Sequence, residues 1–370
     1  MIASLPERVA ALPEPARAAF GRLYHMDRVH GRALPPPEME AWLRRSFGSV
    51  EAVREQTVVR VVNRLTLESA LFNPLRARRP TGEAASDAQL EEWIAEELAG
   101  ADFAAPLQRT PADPFGRIEG RYSISASNVA KYDGWHGLVI FEEGHPLRFG
   151  PEQLADYLDV ALRWLEAAHA HDPDAIYPLI TWNCLPKSGA TIVHGHMQVS
   201  LGRGMHYARP ELWRRAAERY AAQQAGSGLG RYFDDLAQVH AGLGLALHRT
   251  ATLASFVHLT PLRNREVVLL AAGEPALDAA RRLAGPLYAV LRALIDRQGV
   301  RSFNLAVALP PLAPAPERWD GFPVLARVGD RGPALTRRND WGAMELYGTG
   351  TITVDPFEVA ERLRADIVTG

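Results

Sequence analysis

Cysteine is nearly missing from these 370 residues. Cys184 stands alone, which excludes an internal disulfide and any metal site built on several thiolates. Excess charge is missing too. With 41 Lys and Arg against 43 Asp and Glu, the formal net charge is -2, so no whole-chain basic field exists to hold nucleic acid. No apolar run approaches the roughly 20 residues that span a bilayer, so no membrane partner is expected. Residues 1 to 8 lack a charged segment followed by a long apolar run, so no secretory leader is expected and the setting reads as cytoplasmic. What remains is ordinary globular composition, 47% hydrophobic and 23% charged, in a chain long enough for one large core or two packed halves.

One stretch organises the rest. Asn183 opens a small-residue loop through Ser188, Gly189, Ala190 and Thr191, which leads into Val193-His194-Gly195-His196-Met197-Gln198-Val199. Read as a strand from Val193 to Leu201, period-two geometry places His194, His196 and Gln198 on one face and Val193, Met197 and Val199 on the other. Two imidazoles and an amide on one buried face need partners, and a functional site supplies them. The loop offers backbone N–H groups and hydroxyls suited to phosphate oxygens.

Around that stretch the pattern is α+β. Residues 1–56 read as a helical extension broken by Pro35, Pro36 and Pro37. Residues 57–72 read as strand, turn, strand, followed by a basic turn in which Arg76, Arg78 and Arg79 either clamp phosphate or form a solvated surface. A helix follows at 87–98, strands at 122–129 and 135–141, and a long helix from Pro151 to about His171. Strands at 177–182 and at the histidine motif complete the unit. Helices at 210–224 and 232–245 lead to a second succession. It has strands at 253–259 and 266–271, a helix at 276–298, and strands at 303–309 and 322–328; a tail helix at 355–367 ends the chain. The repeated order suggests a duplicated unit, with residues 57–205 the site-bearing half and 206–370 a degenerate partner. The second copy has no His-x-His; Arg327 stands in the segment where one would be sought.

With these pieces in place, the sequence resembles the histidine-triad superfamily, and most closely its galactose-1-phosphate uridylyltransferase branch. The matching residues are His194-Gly195-His196-Met197-Gln198, Asn183 eleven residues before His194, the Gly189-Ala190-Thr191 loop, and the turn Arg76-Ala77-Arg78-Arg79-Pro80. His145 after the second core strand and Glu345 before the final helix also match. The resemblance spans about residues 57 to 366 and implies two fused histidine-triad-like halves, antiparallel sheets with long crossover helices, and a homodimer. It implies that His196 is the nucleophile, becoming a nucleotidyl-histidine, that Gln198 donates its amide to a non-bridging phosphate oxygen, and that His194 orients the strand.

The resemblance further assigns the nucleotide and its phosphates to Arg76, Arg79, Asn128, Asn183, Ser188, Gly189 and Thr191. Glu345 and Asn339 fall on the sugar side, where an ordinary charged surface is the competing reading. The implied partners are a nucleotide sugar and either a sugar 1-phosphate or inorganic phosphate. The second acceptor belongs to a related phosphorylase branch, whose loop resembles Ser188-Gly189-Ala190. A nucleotide-binding protein without catalysis is a third reading. No cofactor is required for the chemistry.

Three departures stand out. Asp113-Pro114-Phe115-Gly116 replaces an upstream Cys-x-x-Cys, Gly195 replaces the usual proline, and the second-half His-x-His is missing. A structural zinc on His145 and His194 would therefore need Asp113 or Glu142 to complete it. A satisfied loop histidine is the competing reading of His145.

Overall fold

The computed structural model describes residues 1–78, 85–335, 342–346 and 348–368. The chain begins with short helices, then pairs β1 (Tyr24–Arg32) with β2 (Glu55–Asn63) and β2 with β3 (Ser69–Phe72), both antiparallel. β1 lies within the segment that the prolines mark as helical. Most of its residues are exposed, so the strand is held by its ladder to β2 and carries no alternation to be read in sequence.

The main sheet holds nine strands: β4 (Ser123–Ser127), β5 (Trp135–Phe141), β6 (Ala175–Cys184), β7 (His196–Arg203), β8 (Ala246–Arg249), β9 (Leu253–Val257), β10 (Val267–Ala271), β11 (Phe303–Ala308) and β12 (Val324–Asp330). Their order is β4-β5-β7-β6-β11-β12-β10-β9-β8. The succession β4-β5-β7-β6 is thus repeated from the opposite edge by β9-β10-β12-β11, and the halves meet where β6 pairs with β11. The two units share one sheet. β13 (Thr349–Ile352) returns the C-terminal region to the small sheet by pairing parallel with β3.

Cross-strand partners share a face. Ile140 opposes His196, Leu138 opposes Gln198, Gln198 opposes Thr181, Thr181 opposes Ala306, and Ala306 opposes Arg327. One face of the sheet therefore carries His196, Gln198, Asn183, Asn304 and Arg327. The other carries Val139, Met197, Val199, Ile180, Trp182, Leu305 and Val328, all buried. That second face is covered by the helix Pro151–His171 and by Ala276–Arg281 and Ala284–Arg292, which split the single long helix expected there. Phe141 stacks on Tyr157 with ring centroids 3.7 Å apart, and Trp182 meets Phe141, Phe149 and Phe303 edge-on. Gly137 is needed at this seam, because a Cβ there would stand 2.5 Å from the Trp164 ring.

The histidine-bearing face is covered unequally. Over the second half lie the helices Ala208–Gln223 and Gly230–Gly242 and the turn between β2 and β3. His240 stacks on Phe256 at 4.0 Å, and Asn63 donates to the Tyr232 hydroxyl at 3.0 Å. Arg327, buried there, bridges Glu68 at 2.5 Å and Glu266 at 2.6 Å, and His258 lies 3.0 Å from Glu266. Burial pushes the Glu68 carboxyl up, but Arg327, His258 and Arg209 outweigh it and hold the pKa at about 2. The face that would carry a second site is closed by a guanidinium between two carboxylates.

Candidate functional site

Over the first half the same face is covered less: Thr181, Asn183 and Gln198 are half-buried, while His136 and His196 are buried. β7 begins at His196, so the strand is shorter than the alternation suggests and His194 lies just before it. Gly195 explains the break. Its N–H donates to the Gly144 carbonyl at 2.8 Å, its carbonyl accepts from Phe141 N–H at 3.1 Å, and a Cβ would stand 2.6 Å from the Phe141 ring. Nothing larger than glycine fits between the two histidines while Phe141 keeps this position.

His194 donates Nε2–H to the Phe141 carbonyl at 2.8 Å, and His196 donates Nδ1–H to the His194 carbonyl at 2.8 Å. A carbonyl only accepts, so the proton of His196 sits on Nδ1 and the lone pair on Nε2. Among the described residues Nε2 has no hydrogen-bond partner. Burial lowers the pKa of both imidazoles against the raising effect of those carbonyls, so both are neutral near pH 7. The Phe103 ring stands edge-on to both, 5.2 Å from His196 and 6.1 Å from His194.

Gln198 follows on the same face. Its Oε1 accepts from the Tyr132 hydroxyl at 3.0 Å and lies 3.1 Å from His136 Nε2. A cavity of about 290 Å³ opens beside His194, with Phe103, Ile124 and Ile140 as apolar walls and Arg121, Ser123 and Glu142 as polar ones. A neutral imidazole with an available Nε2, an oriented amide and an adjoining half-apolar cavity can hold an anionic ester and attack it.

The loop before the histidines is built differently from its sequence reading. The Ser188 hydroxyl donates to the Leu185 carbonyl at 2.8 Å. The N–H groups of Ser188 and Ala190 also point at Leu185, and that of Gly189 points at Pro186. These donors are turned inward, and Gly189 closes the turn at φ +99°. Thr191 is exposed. The loop is braced from the second half: Asn304 donates to Asn183 Oδ1 at 2.6 Å and to the Ser188 carbonyl at 2.8 Å, while Arg331 donates to Asn304 and to Ser188. Asn183 thus anchors the loop across the seam.

The other expected residues are more scattered. Asn128 lies near the site, its Nδ2 3.2 Å from His136 Nε2. Arg76 is exposed on the turn leaving the small sheet, where Arg78 donates to the Phe47 carbonyl, and no described contact brings Arg76 to the histidine strand. Arg79 and Asn339 lie outside the described residues. Glu345 is buried, and its carboxylate accepts from Gly342, from Thr351 N–H and from the Thr351 hydroxyl, so it ties its own turn to β13.

His145 and His194 do not form a metal pair in this arrangement. His145 accepts from Leu147 N–H on Nδ1 and turns Nε2 toward Glu91, 3.2 Å away, whereas the Nε2 of His194 is engaged by Phe141. Asp113 accepts from the Trp164 indole at 2.7 Å, and its other carboxylate oxygen lies 3.8 Å from Lys131 Nζ. Among the described residues no group of three His, Cys, Asp or Glu side chains could hold an ion. Phe103, His136, Tyr132 and Asn304 are absent from the sequence reading. Only His136, a histidine inside an otherwise apolar strand, carries a signal that could have found it.

No family model matches the sequence, and no curated protein matches it. Solved structures do match. An ADP-glucose phosphorylase from Arabidopsis thaliana, solved with bound ADP-glucose, superposes with a TM-score of 0.62 at 13% identity, covering 82% of this chain and 97% of its own. A uridylyltransferase gives 0.56 at 16% identity, over 70% of this chain and 89% of its own. A GALT-like protein from Arabidopsis thaliana gives 0.56 at 13% identity, over 71% and 91%. Among the described residues no helix is long and apolar enough to cross a membrane. At these identities the likeness is one of fold, and the chain has the α+β fold of uridylyltransferases and nucleotide-sugar phosphorylases that its resemblance to the histidine-triad superfamily implies.

Proposed function

We propose that the chain transfers a nucleoside monophosphate from a nucleoside diphosphate sugar to a sugar 1-phosphate through a nucleotidyl-histidine at His196. The observation that carries this reading is the hydrogen bond from His196 Nδ1 to the His194 carbonyl, which leaves the Nε2 lone pair without a hydrogen-bond partner among the described residues. In the first step Nε2 attacks the α-phosphorus. A phosphorus–nitrogen bond forms, the bond to the bridging oxygen breaks, and sugar 1-phosphate leaves with the electron pair. The imidazole gains positive charge as it attacks, and the His194 carbonyl at the Nδ1 proton favours that charge. The Gln198 amide donates to a non-bridging oxygen. In the second step a phosphate oxygen of the acceptor attacks, the phosphorus–nitrogen bond breaks, and neutral His196 returns.

Inorganic phosphate as the acceptor is the second reading. The match over 97% of an ADP-glucose phosphorylase supports it. Both readings share the first step and part at the second.

The test is to load the protein with ADP-glucose or UDP-glucose labelled at the α-phosphorus and then add glucose 1-phosphate, galactose 1-phosphate or inorganic phosphate. Label moving into a nucleotide sugar supports the first reading, and label in a nucleoside diphosphate supports the second. A loaded enzyme that yields to neither acceptor contradicts both.

A further inference from the structure

Gln198 is held by two side chains that the transfer chemistry leaves unused. His136, on β5, is fully buried, and its Nε2 lies 3.1 Å from Gln198 Oε1. Tyr132, on the loop between β4 and β5, donates its hydroxyl to the same oxygen at 3.0 Å. The Tyr132 ring lies over the His136 imidazole with centroids 3.7 Å apart, and the Tyr132 backbone N–H points at His136 Nδ1 from 3.4 Å. Lys131 fastens the loop by donating to Ser127 Oγ at 2.6 Å and to the His136 carbonyl at 2.9 Å.

These contacts select a tautomer. A backbone N–H only donates, so Nδ1 of His136 is the acceptor and its proton lies on Nε2, toward Gln198 Oε1. A competing arrangement exists on the same atoms. Asn128 Nδ2 stands 3.2 Å from His136 Nε2, and its amide is held one way round because Oδ1 accepts from Ala130 N–H at 3.1 Å. Donation from Asn128 would place the His136 proton on Nδ1, against the Tyr132 N–H.

A glutamine amide has a donor end and an acceptor end of nearly equal shape. Only the donor end favours a phosphate oxygen; the other repels it. We infer that His136 and Tyr132 are positioning residues that fix the Gln198 oxygen, so that its NH2 group is the end turned to the transferring phosphate. This rests on the proposed nucleotidyl transfer at His196 and specifies why Gln198 acts as a donor there.

Two measurements test it. In substrate-free protein carrying isotope-labelled histidine, the ring nitrogens of His136 report the tautomer by NMR. The expected result is a proton on Nε2 whose resonance moves on Gln198→Ala; a proton on Nδ1 overturns the inference. In single-turnover labelling of His196 by ADP-glucose or UDP-glucose, His136→Phe is expected to slow the step about tenfold with little change in substrate affinity. His136→Gln, which keeps a donor, recovers most of the rate, and Tyr132→Phe, at an exposed site, gives a smaller loss in the same direction. In the Gln198→Ala background His136→Phe changes the rate less than about twofold, because its target is gone. Losses that multiply in the double variant, or a His136→Gln as slow as His136→Phe, overturn the inference. Wild-type protein that takes no label contradicts the transfer reading, and the tautomer measurement then still decides whether His136 orients Gln198.

Discussion

The imidazole of His196 is fastened to the backbone of His194: Nδ1–H donates to that carbonyl at 2.8 Å. The bond fixes the ring, the tautomer and the direction of the lone pair together. Burial lowers the His196 pKa, and the neighbouring His194 adds to the effect, while the carbonyl opposes them.

The pH dependence of the first step follows. Only neutral His196 can attack, and its folded pKa lies below the ordinary imidazole value of about 6.5. Nucleotidylation should therefore be flat from neutrality downward through that value and fall only at lower pH, as the buried ring takes up a proton. A single-turnover rate profile checks this. An acid limb at or above the ordinary value would contradict a buried neutral nucleophile.

Gly195 and Phe141 are coupled by contact. Gly195→Ala places a Cβ 2.6 Å from the Phe141 ring, so the turn must shift and carry His196 with it. The expected cost is about 1–3 kcal/mol of stability, with a rate loss larger than that stability change alone would give. Phe141→Val in the same chain should recover part of the rate while remaining destabilised, because Phe141 also stacks on Tyr157. Urea melts and labelling rates on the same samples check both halves.

Asn304 lies in the half without a site, yet it holds the loop of the half that has one. Asn304→Ala removes the donors to Asn183 and Ser188, leaving Asn183 Oδ1 without that donor and the Ser188 carbonyl with Arg331 alone, worth about 1–2 kcal/mol. Looser substrate binding is expected, with a several-fold rise in KM and a smaller change in kcat. Unchanged substrate affinity by calorimetry would show that the seam does not serve the site.

Arg327→Ala should act on stability and spare the chemistry. It removes the guanidinium shared by two buried carboxylates, leaving Glu68 with Arg209 and Glu266 with His258, at a cost of about 3–5 kcal/mol. The pH sign is set by Glu68, whose pKa falls from 4.5 to about 2 on folding. Its contribution is fully present above pH 4.5 and is lost as pH falls toward 2. The variant should lose that acid-sensitive part of its stability curve, read from melts across that range, while the labelling rate of the folded fraction stays near wild type.

Much of this arrangement was legible in the sequence, for identifiable reasons. The continuous apolar run of β5 and the leucine spacing behind Pro151 are local patterns, and each became the expected element, whereas the histidine motif became a strand only from His196 onward. β1 and β13 were not legible, because pairing with distant strands holds them rather than any alternation of their own. Ser188 and Gly189 read as open phosphate donors, but the direction of an N–H depends on turn geometry, and here the turn closes on itself. The bracing of Asn183 by Asn304 depends on the register between β6 and β11, which joins residues far apart in the chain. Glu345 read as a sugar-side carboxylate and is engaged by Gly342 of its own turn and by Thr351 of β13.

The central claim is tested most directly by trapping the intermediate. Protein mixed with ADP-glucose or UDP-glucose labelled at the α-phosphorus, then quenched in alkali and digested, should yield one labelled peptide with the nucleotide on His196. His196→Gly should yield none, and its transfer activity should return in part with added imidazole. Label on another residue, or full transfer by His196→Ala, would contradict the account.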